Sequence, residues 1–112
     1  MSNVMYIANK VLIDTVAWTS NRSSGAIPLT QFSGIGLQIV WASLTGTLDG
    51  SIVISVSNDG TNWDTVGTAT TISTANGNKC IAIENIFFTY IKVDATKNNI
   101  TGGNITVLAT FK

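Results

Sequence analysis

Ile35-Gly36-Leu37-Gln38-Ile39-Val40-Trp41-Ala42 is the stretch whose reading decides the fold. In an extended strand, Ile35, Leu37, Ile39 and Trp41 fall on one face and Gly36, Gln38, Val40 and Ala42 on the other. A helix would scatter that apolar set around its axis, whereas a strand collects it on one side. Downstream, Leu48-Asp49-Gly50 signals a turn. Ile52, Ile54 and Val56 then alternate with Ser51, Val53, Ser55 and Ser57 until Asn58-Asp59-Gly60 signals another. Trp63 to Ile72 reads as one or two short strands, closed by Ala75-Asn76-Gly77-Asn78, where Asn-Gly permits positive φ. Cys80 to Ile83 and Phe87 to Ala95 read as two more. The turn-rich Lys97 to Gly103 precedes a last strand with Ile105, Val107, Ala109 and Phe111 on one face. Upstream, Val11 to Trp18 is β-rich, and Ile27-Pro28-Leu29 carries the single proline, which suits an edge or a strand start.

No window shows sustained apolar spacing of three and four, and the sixteen threonines favour extended backbone. The expected fold is therefore all-β: a single-domain antiparallel β-sandwich, jelly-roll-like, with about seven or eight strands. It occupies residues 11–112, and residues 1–10 form an extended N-terminal segment. The length of 112 residues leaves no room for a second core.

Only 11% of the residues are charged, where an average globular chain carries about 25%. Thr, Ser and Asn must cover the surface instead, and such a surface is easily desolvated by another protein laid against it. Six basic and six acidic residues cancel without any run of one sign, so no nucleic-acid partner is expected. No stretch approaches the roughly 18 apolar residues of a membrane span, and Met1 to Ala8 lacks the basic flank and apolar core of a signal peptide. A soluble chain made in the cytoplasm is the expectation. Cys80, the lone cysteine, lies in an apolar run and is expected to be a buried small hydrophobe.

The chain has no histidine, so the commonest general base is missing, and neither Cys80 nor any serine has an imidazole partner. The carboxylates are Asp14, Asp49, Asp59, Asp64, Glu84 and Asp94, three of them in or beside turn signals where aspartate is expected for local reasons. Zinc would need Cys or His clusters that do not exist. No catalytic residue, no metal and no cofactor is expected. One loop is rich in oxygen donors: Ser57-Asn58-Asp59-Gly60-Thr61-Asn62-Trp63-Asp64. It lacks the ligand alternation and terminal glutamate of a calcium-binding EF-hand, and reads as a tight inter-strand connection closed by its own Asn and Asp side chains. If it binds anything, Asn58, Asp59, Asn62 and Trp63 are the candidates.

Those eight residues, followed by a threonine-rich strand, resemble a recurrent element of small β-sandwich virion proteins of tailed bacteriophages. Phe32-Ser-Gly-Ile-Gly-Leu-Gln-Ile-Val-Trp41 and Leu48-Asp-Gly-Ser-Ile-Val-Ile-Ser-Val56 look like the strands leading into it. Tyr90-Ile-Lys-Val-Asp-Ala-Thr-Lys97 and Gly102-Gly-Asn-Ile-Thr-Val-Leu-Ala-Thr-Phe-Lys112 look like its closing hairpin. The resemblance covers residues 32–112 and leaves Met1 to Leu29 unmatched. It implies a virion protein of the capsid-decoration, auxiliary or head-fibre type. Similar Asn-Asp-Gly-x-Asn-Trp turns occur in carbohydrate-binding and discoidin-like sandwiches, where Trp stacks on sugar, so the alternative is a carbohydrate-binding or host-adhesion module using Trp18 or Trp63, with a surface glycan as partner.

Aromatic placement supplies the interface candidates. Trp41 continues an apolar face and is core, and Trp63 caps the core beside its turn. Trp18 ends the first strand, where an exposed ring would anchor a partner. Phe87 and Phe88 are adjacent, so in a strand they face opposite sides and one must meet a second apolar layer or a partner. With Val4, Met5, Tyr6 and Ile7, which have no obvious place in the core, Trp18 and Phe88 form the expected assembly interface. The partners expected are further copies, with a trimer preferred, and phage capsid or fibre proteins. The N-terminal segment is expected to extend as a strand onto a neighbour's open sheet edge.

Overall fold

The computed structural model describes residues 8–29 and 32–112 and contains no helix among them. Nine strands follow one another: β1 (Ala8–Ala17), β2 (Arg22–Ser23), β3 (Ile27–Pro28), β4 (Ile35–Gly46), β5 (Ser51–Ser57), β6 (Asp64–Thr71), β7 (Gly77–Ile83), β8 (Tyr90–Thr96) and β9 (Ile100–Phe111). They form two antiparallel sheets, ordered β1-β9-β4-β7 and β2-β8-β5-β6, with β3 also paired to β8. Counting β2 and β3 as one interrupted strand gives eight strands, ordered 1-8-3-6 in one sheet and 2-7-4-5 in the other. That is the jelly-roll arrangement the sequence points to.

The core lies between the sheets and is built from the alternation itself. Ile35, Leu37, Ile39 and Trp41 of β4 and Ile105, Val107, Ala109 and Phe111 of β9 meet Ile52, Ile54 and Val56 of β5 and Ile91, Val93 and Ala95 of β8. Trp41 is anchored as well as buried, its Nε1–H donating to the Thr74 carbonyl at 3.1 Å. Both chain ends of the sandwich lie together, since Ala8 pairs with Phe111 and Phe111 with Ile35.

Several boundaries differ from the sequence reading. β1 begins at Ala8, because Ala8, Asn9 and Lys10 pair with Phe111, Thr110 and Ala109 even though apolar alternation is visible only from Val11. The sandwich therefore includes residues placed in the extended segment. β4 runs past Ala42 to Gly46 through a bulge at Ser43, whose φ is 57°. β9 starts at Ile100 and passes through Gly102 and Gly103, which read as a turn. Phe87, Phe88 and Thr89 lie outside β8 in the loop before it.

Two side chains are on the other side of the surface from where they were expected. Cys80 is exposed, because β7 turns Ile81 and Ile83 toward the core and Cys80 and Ala82 outward. Trp18 is fully buried at 0% exposure and presents nothing to a partner. The room for its ring comes from Gly50, where a Cβ would stand 2.6 Å from Trp18 Cη2.

Candidate functional site

The oxygen-rich loop is closed upon itself. The Asp59 Oδ1 atom accepts from the backbone N–H groups of Thr61 and Asn62, both at 2.8 Å, and Oδ2 accepts from Asn62 Nδ2 at 2.8 Å. The Ser57 hydroxyl donates to Asp59 Oδ1 at 2.9 Å and accepts from the N–H of Gly60 at 2.9 Å. Asn58 Oδ1 accepts from the Thr89 N–H at 3.0 Å and so ties this loop to the one carrying Phe87 and Phe88. One face of the Trp63 ring is taken by Lys92, whose Nζ lies 4.5 Å from the ring centroid and 3.8 Å from Asp94 Oδ2. Of the loop's four candidate residues, Asp59 and Asn62 are bonded to each other, Asn58 is tied to Thr89 and Trp63 lies against Lys92. Among the described residues no group of three or more His, Cys, Asp or Glu side chains converges on a metal-sized site.

Hydrogen bonds from the Asn62 backbone and side chain, then from Thr61 N–H and the Ser57 hydroxyl, hold the Asp59 carboxyl well below the usual carboxylate range. A depressed folded pKa gives stability that is present above the unfolded value of about 3.9 and is lost as pH falls from there through the folded value. The melting temperature is therefore expected to fall between pH 6 and pH 3, by less in Asp59→Asn than in the parent. It is expected to be unchanged by EDTA at neutral pH. Scanning fluorimetry checks both arms, and a calcium-restored loss of several degrees in EDTA would show that the loop holds an ion.

The outward face of the four-stranded sheet has a different character. Across the strands, Val11, Leu108, Gln38 and Cys80 form one row and Asn9, Thr110, Gly36 and Ala82 the next. Val11 is 51% and Leu108 36% exposed. Small side chains in the second row leave a continuous groove that runs past Gly36, Ala82 and Thr110 toward Ile83, Asn85 and Lys112. Its floor is open at Gly36, where a Cβ would have no neighbour within 4 Å. Beyond its far end, after Asn85 with φ 58°, the loop presents Phe87 and Phe88, 76% and 44% exposed. Buried Ile86 between them and the sheet fixes this loop, its N–H donating to the Ser33 carbonyl at 2.7 Å. Ala8 lies at the same end, paired with Phe111.

No known family matches this sequence, and no curated protein does. Solved structures do match. The SPBc2 prophage-derived protein YomS superposes with a TM-score of 0.62 at 13% identity, over 99% of this chain and 98% of that one. The infectious bursal disease virus VP2 subviral particle gives 0.59 at 14% identity, over 95% of this chain but 32% of its own. A disulfide-linked pilus protein of Bacillus endospore appendages gives 0.54 at 15%, over 99% and 98%. At these identities the likeness is one of fold.

Of the interface residues expected from sequence, Phe88 is exposed, Trp18 is not, and Val4, Met5, Tyr6 and Ile7 lie outside the described residues. Sequence reasoning missed Val11, Gly36, Cys80 and Ala82 as one surface. The signal available for it was Gly36 on the outer face of the deciding strand, a position where a folded sheet gains nothing from glycine unless something approaches.

Proposed function

We propose that this chain is a non-enzymatic structural protein of a phage particle, a capsid-decoration or head-fibre component that works through protein–protein assembly. The observation that carries the reading is the apolar groove over the four-stranded sheet, which reaches Asn85, with the exposed Phe87 and Phe88 following it in the chain. A contiguous exposed apolar surface on a charge-poor protein is a contact surface for another protein. The resemblance of residues 32–112 to tailed-phage virion proteins, and a fold shared with a prophage-derived protein and a viral particle protein, support placing that contact in a virion. Homo-oligomerisation, with three copies preferred, and attachment to capsid or fibre proteins complete the proposal. Glycan binding is disfavoured, since Lys92 covers one face of Trp63 and the Asp59 carboxylate beside it is already held by Thr61 and Asn62.

Light scattering at micromolar concentration is expected to show an oligomer. Gly36→Arg tests the face, because a side chain there stands in open space and the backbone needs no positive φ. It is expected to leave the melting temperature within a degree or two and to raise the dissociation constant at least tenfold, about 1.4 kcal/mol. A parent protein that stays monomeric, alone and with purified capsid, would end the assembly reading.

A further inference from the structure

We infer that the free edge of β7 is a strand-addition site whose occupant is Met1–Ile7 of a second copy of this chain. The inference rests on the assembly reading above and names the contact. The sheets end in β1 and β7 on one side of the sandwich core and in β6 and the interrupted β2 and β3 on the other. Three of these edges are poor templates. The register of β1 against β9 shifts between Val11 and Ile13 and again between Ile13 and Val16. β6 breaks register with β5 between Ile52 and Ile54, near Gly67 with φ 72°. β2 and β3 have two residues each. β7 is different: its seven residues pair one for one with β4, from Ile35↔Ile83 to Trp41↔Gly77, without a shift. It carries no proline and no bulge, the usual guards of an edge, and one charge, Lys79.

The ladder shows which backbone groups are unused. Gly34 and Lys112 exchange two hydrogen bonds, each at 3.0 Å. Antiparallel ladders alternate, so Gly36, Gln38 and Val40 also turn their N–H and C=O groups to β9, and Ile35, Leu37, Ile39 and Trp41 turn theirs to β7. Their partners Ile83, Ile81, Lys79 and Gly77 are thereby committed to β4. The N–H and C=O groups of Asn78, Cys80 and Ala82 point the other way, where the sheet has no further strand among the described residues.

Side chains flank this edge on both faces. Cys80 and Ala82 extend the outer groove, and Ile81 and Ile83 on the core side are only half-buried. An added strand must therefore be apolar on both of its faces. Met1–Ile7 supplies Val4 and Tyr6 on one and Met5 and Ile7 on the other, with no charged side chain. The same segment cannot serve its own molecule. A strand beyond β7 lies four strand spacings from β1, roughly 19 Å, and crossing that distance uses about six residues at ~3.3 Å each. A neighbour's segment makes no such crossing. The exchange is either reciprocal between two copies or head-to-tail, and a head-to-tail exchange closes a ring or grows a fibre.

Ala82→Pro in the full-length chain tests the edge. It removes an N–H that makes no ladder bond among the described residues, and edge strands accept proline where the N–H faces solvent, so the β spectrum and cooperative melting are retained. Light scattering is expected to show a dissociation constant raised at least tenfold, and deletion of Met1–Ile7 is expected to do the same. A synthetic peptide of residues 1–8 in excess is expected to dissociate the parent oligomer. Should Ala82→Pro fail to fold, the deletion and the peptide decide. An oligomer that survives the deletion, or that survives in folded Ala82→Pro, overturns the inference. If that oligomer still falls apart in Gly36→Arg the assembly reading stands, and a parent that is monomeric from the outset overturns both.

Discussion

Trp18→Ala is expected to destabilise the protein by about 3–5 kcal/mol, as large-to-small changes at fully buried aromatics do. Trp18 has no exposed surface and sits where Gly50 leaves room and Ile100 closes over it. The site is held from two directions, by the Gly50 backbone and by β9, to which Trp18 N–H donates at the Gly103 carbonyl, 2.9 Å. Neighbours fixed in this way collapse little, so most of the ring's volume is left as cavity. Against the roughly 5–15 kcal/mol that hold a domain of this size together, the loss leaves a small reserve. Trp18→Phe is expected to cost less, for two reasons. It fills much of the space, and it removes the indole Nε1–H, which is buried without an acceptor among the described residues. Urea unfolding checks both variants through the midpoint at unchanged slope. A loss below about 1 kcal/mol in Trp18→Ala would return the ring to the surface, where the sequence reading had put it as an interface anchor.

The reason for that misreading is physical. Trp18 lies just past β1, where no alternation assigns a face, and its burial depends on Gly50, thirty-two positions away. Alternation is local, so Ile35 to Trp41 and Ile105 to Phe111 declare their inner faces without reference to any partner. Pairing is not local. Nothing in the sequence of β9 says that it lies between β1 and β4, and the bulge near Ser43 shows only in the register of β4 against β9. Cys80 was misplaced by hydropathy although the period was present: Cys80-Ile81-Ala82-Ile83 alternates, and the larger residues take the inside. Phe87 and Phe88 read as strand because aromatics favour strands, but they lie in a loop that follows Asn85, whose positive φ of 58° is not that of a strand. The groove had the weakest local signal. Gly36, Ala82 and Thr110 come from three strands and form one surface through register alone.

Gly103→Ala is expected to be a severely damaging single-methyl addition, at about 2–6 kcal/mol from backbone strain and overpacking together. Gly102 and Gly103 read as the end of a turn, yet both lie inside β9. Gly103 has a φ of 101°, and a Cβ on it would stand 2.7 Å from Leu44 Cα and 2.7 Å from the Ser43 carbonyl oxygen. Those are backbone atoms of the β4 bulge, so no rotamer change relieves the clash. Ser43 and Leu44 are themselves pinned, their N–H groups donating to Asn76 Oδ1 at 2.9 Å and the Ala75 carbonyl at 3.0 Å. The neighbouring Gly102 is an internal control, because its Cβ would meet Thr45 Oγ1, the end of a side chain that can rotate. Gly67 is a second, with φ 72° but open space around it, so that alanine there carries conformational strain alone. The three alanine variants are expected to lose stability in the order Gly103, Gly67, Gly102 by urea unfolding. Equal losses at Gly103 and Gly67 would mean that the strand crossing relaxes around a methyl group, and that the glycine serves φ rather than the close approach of β9 to β4.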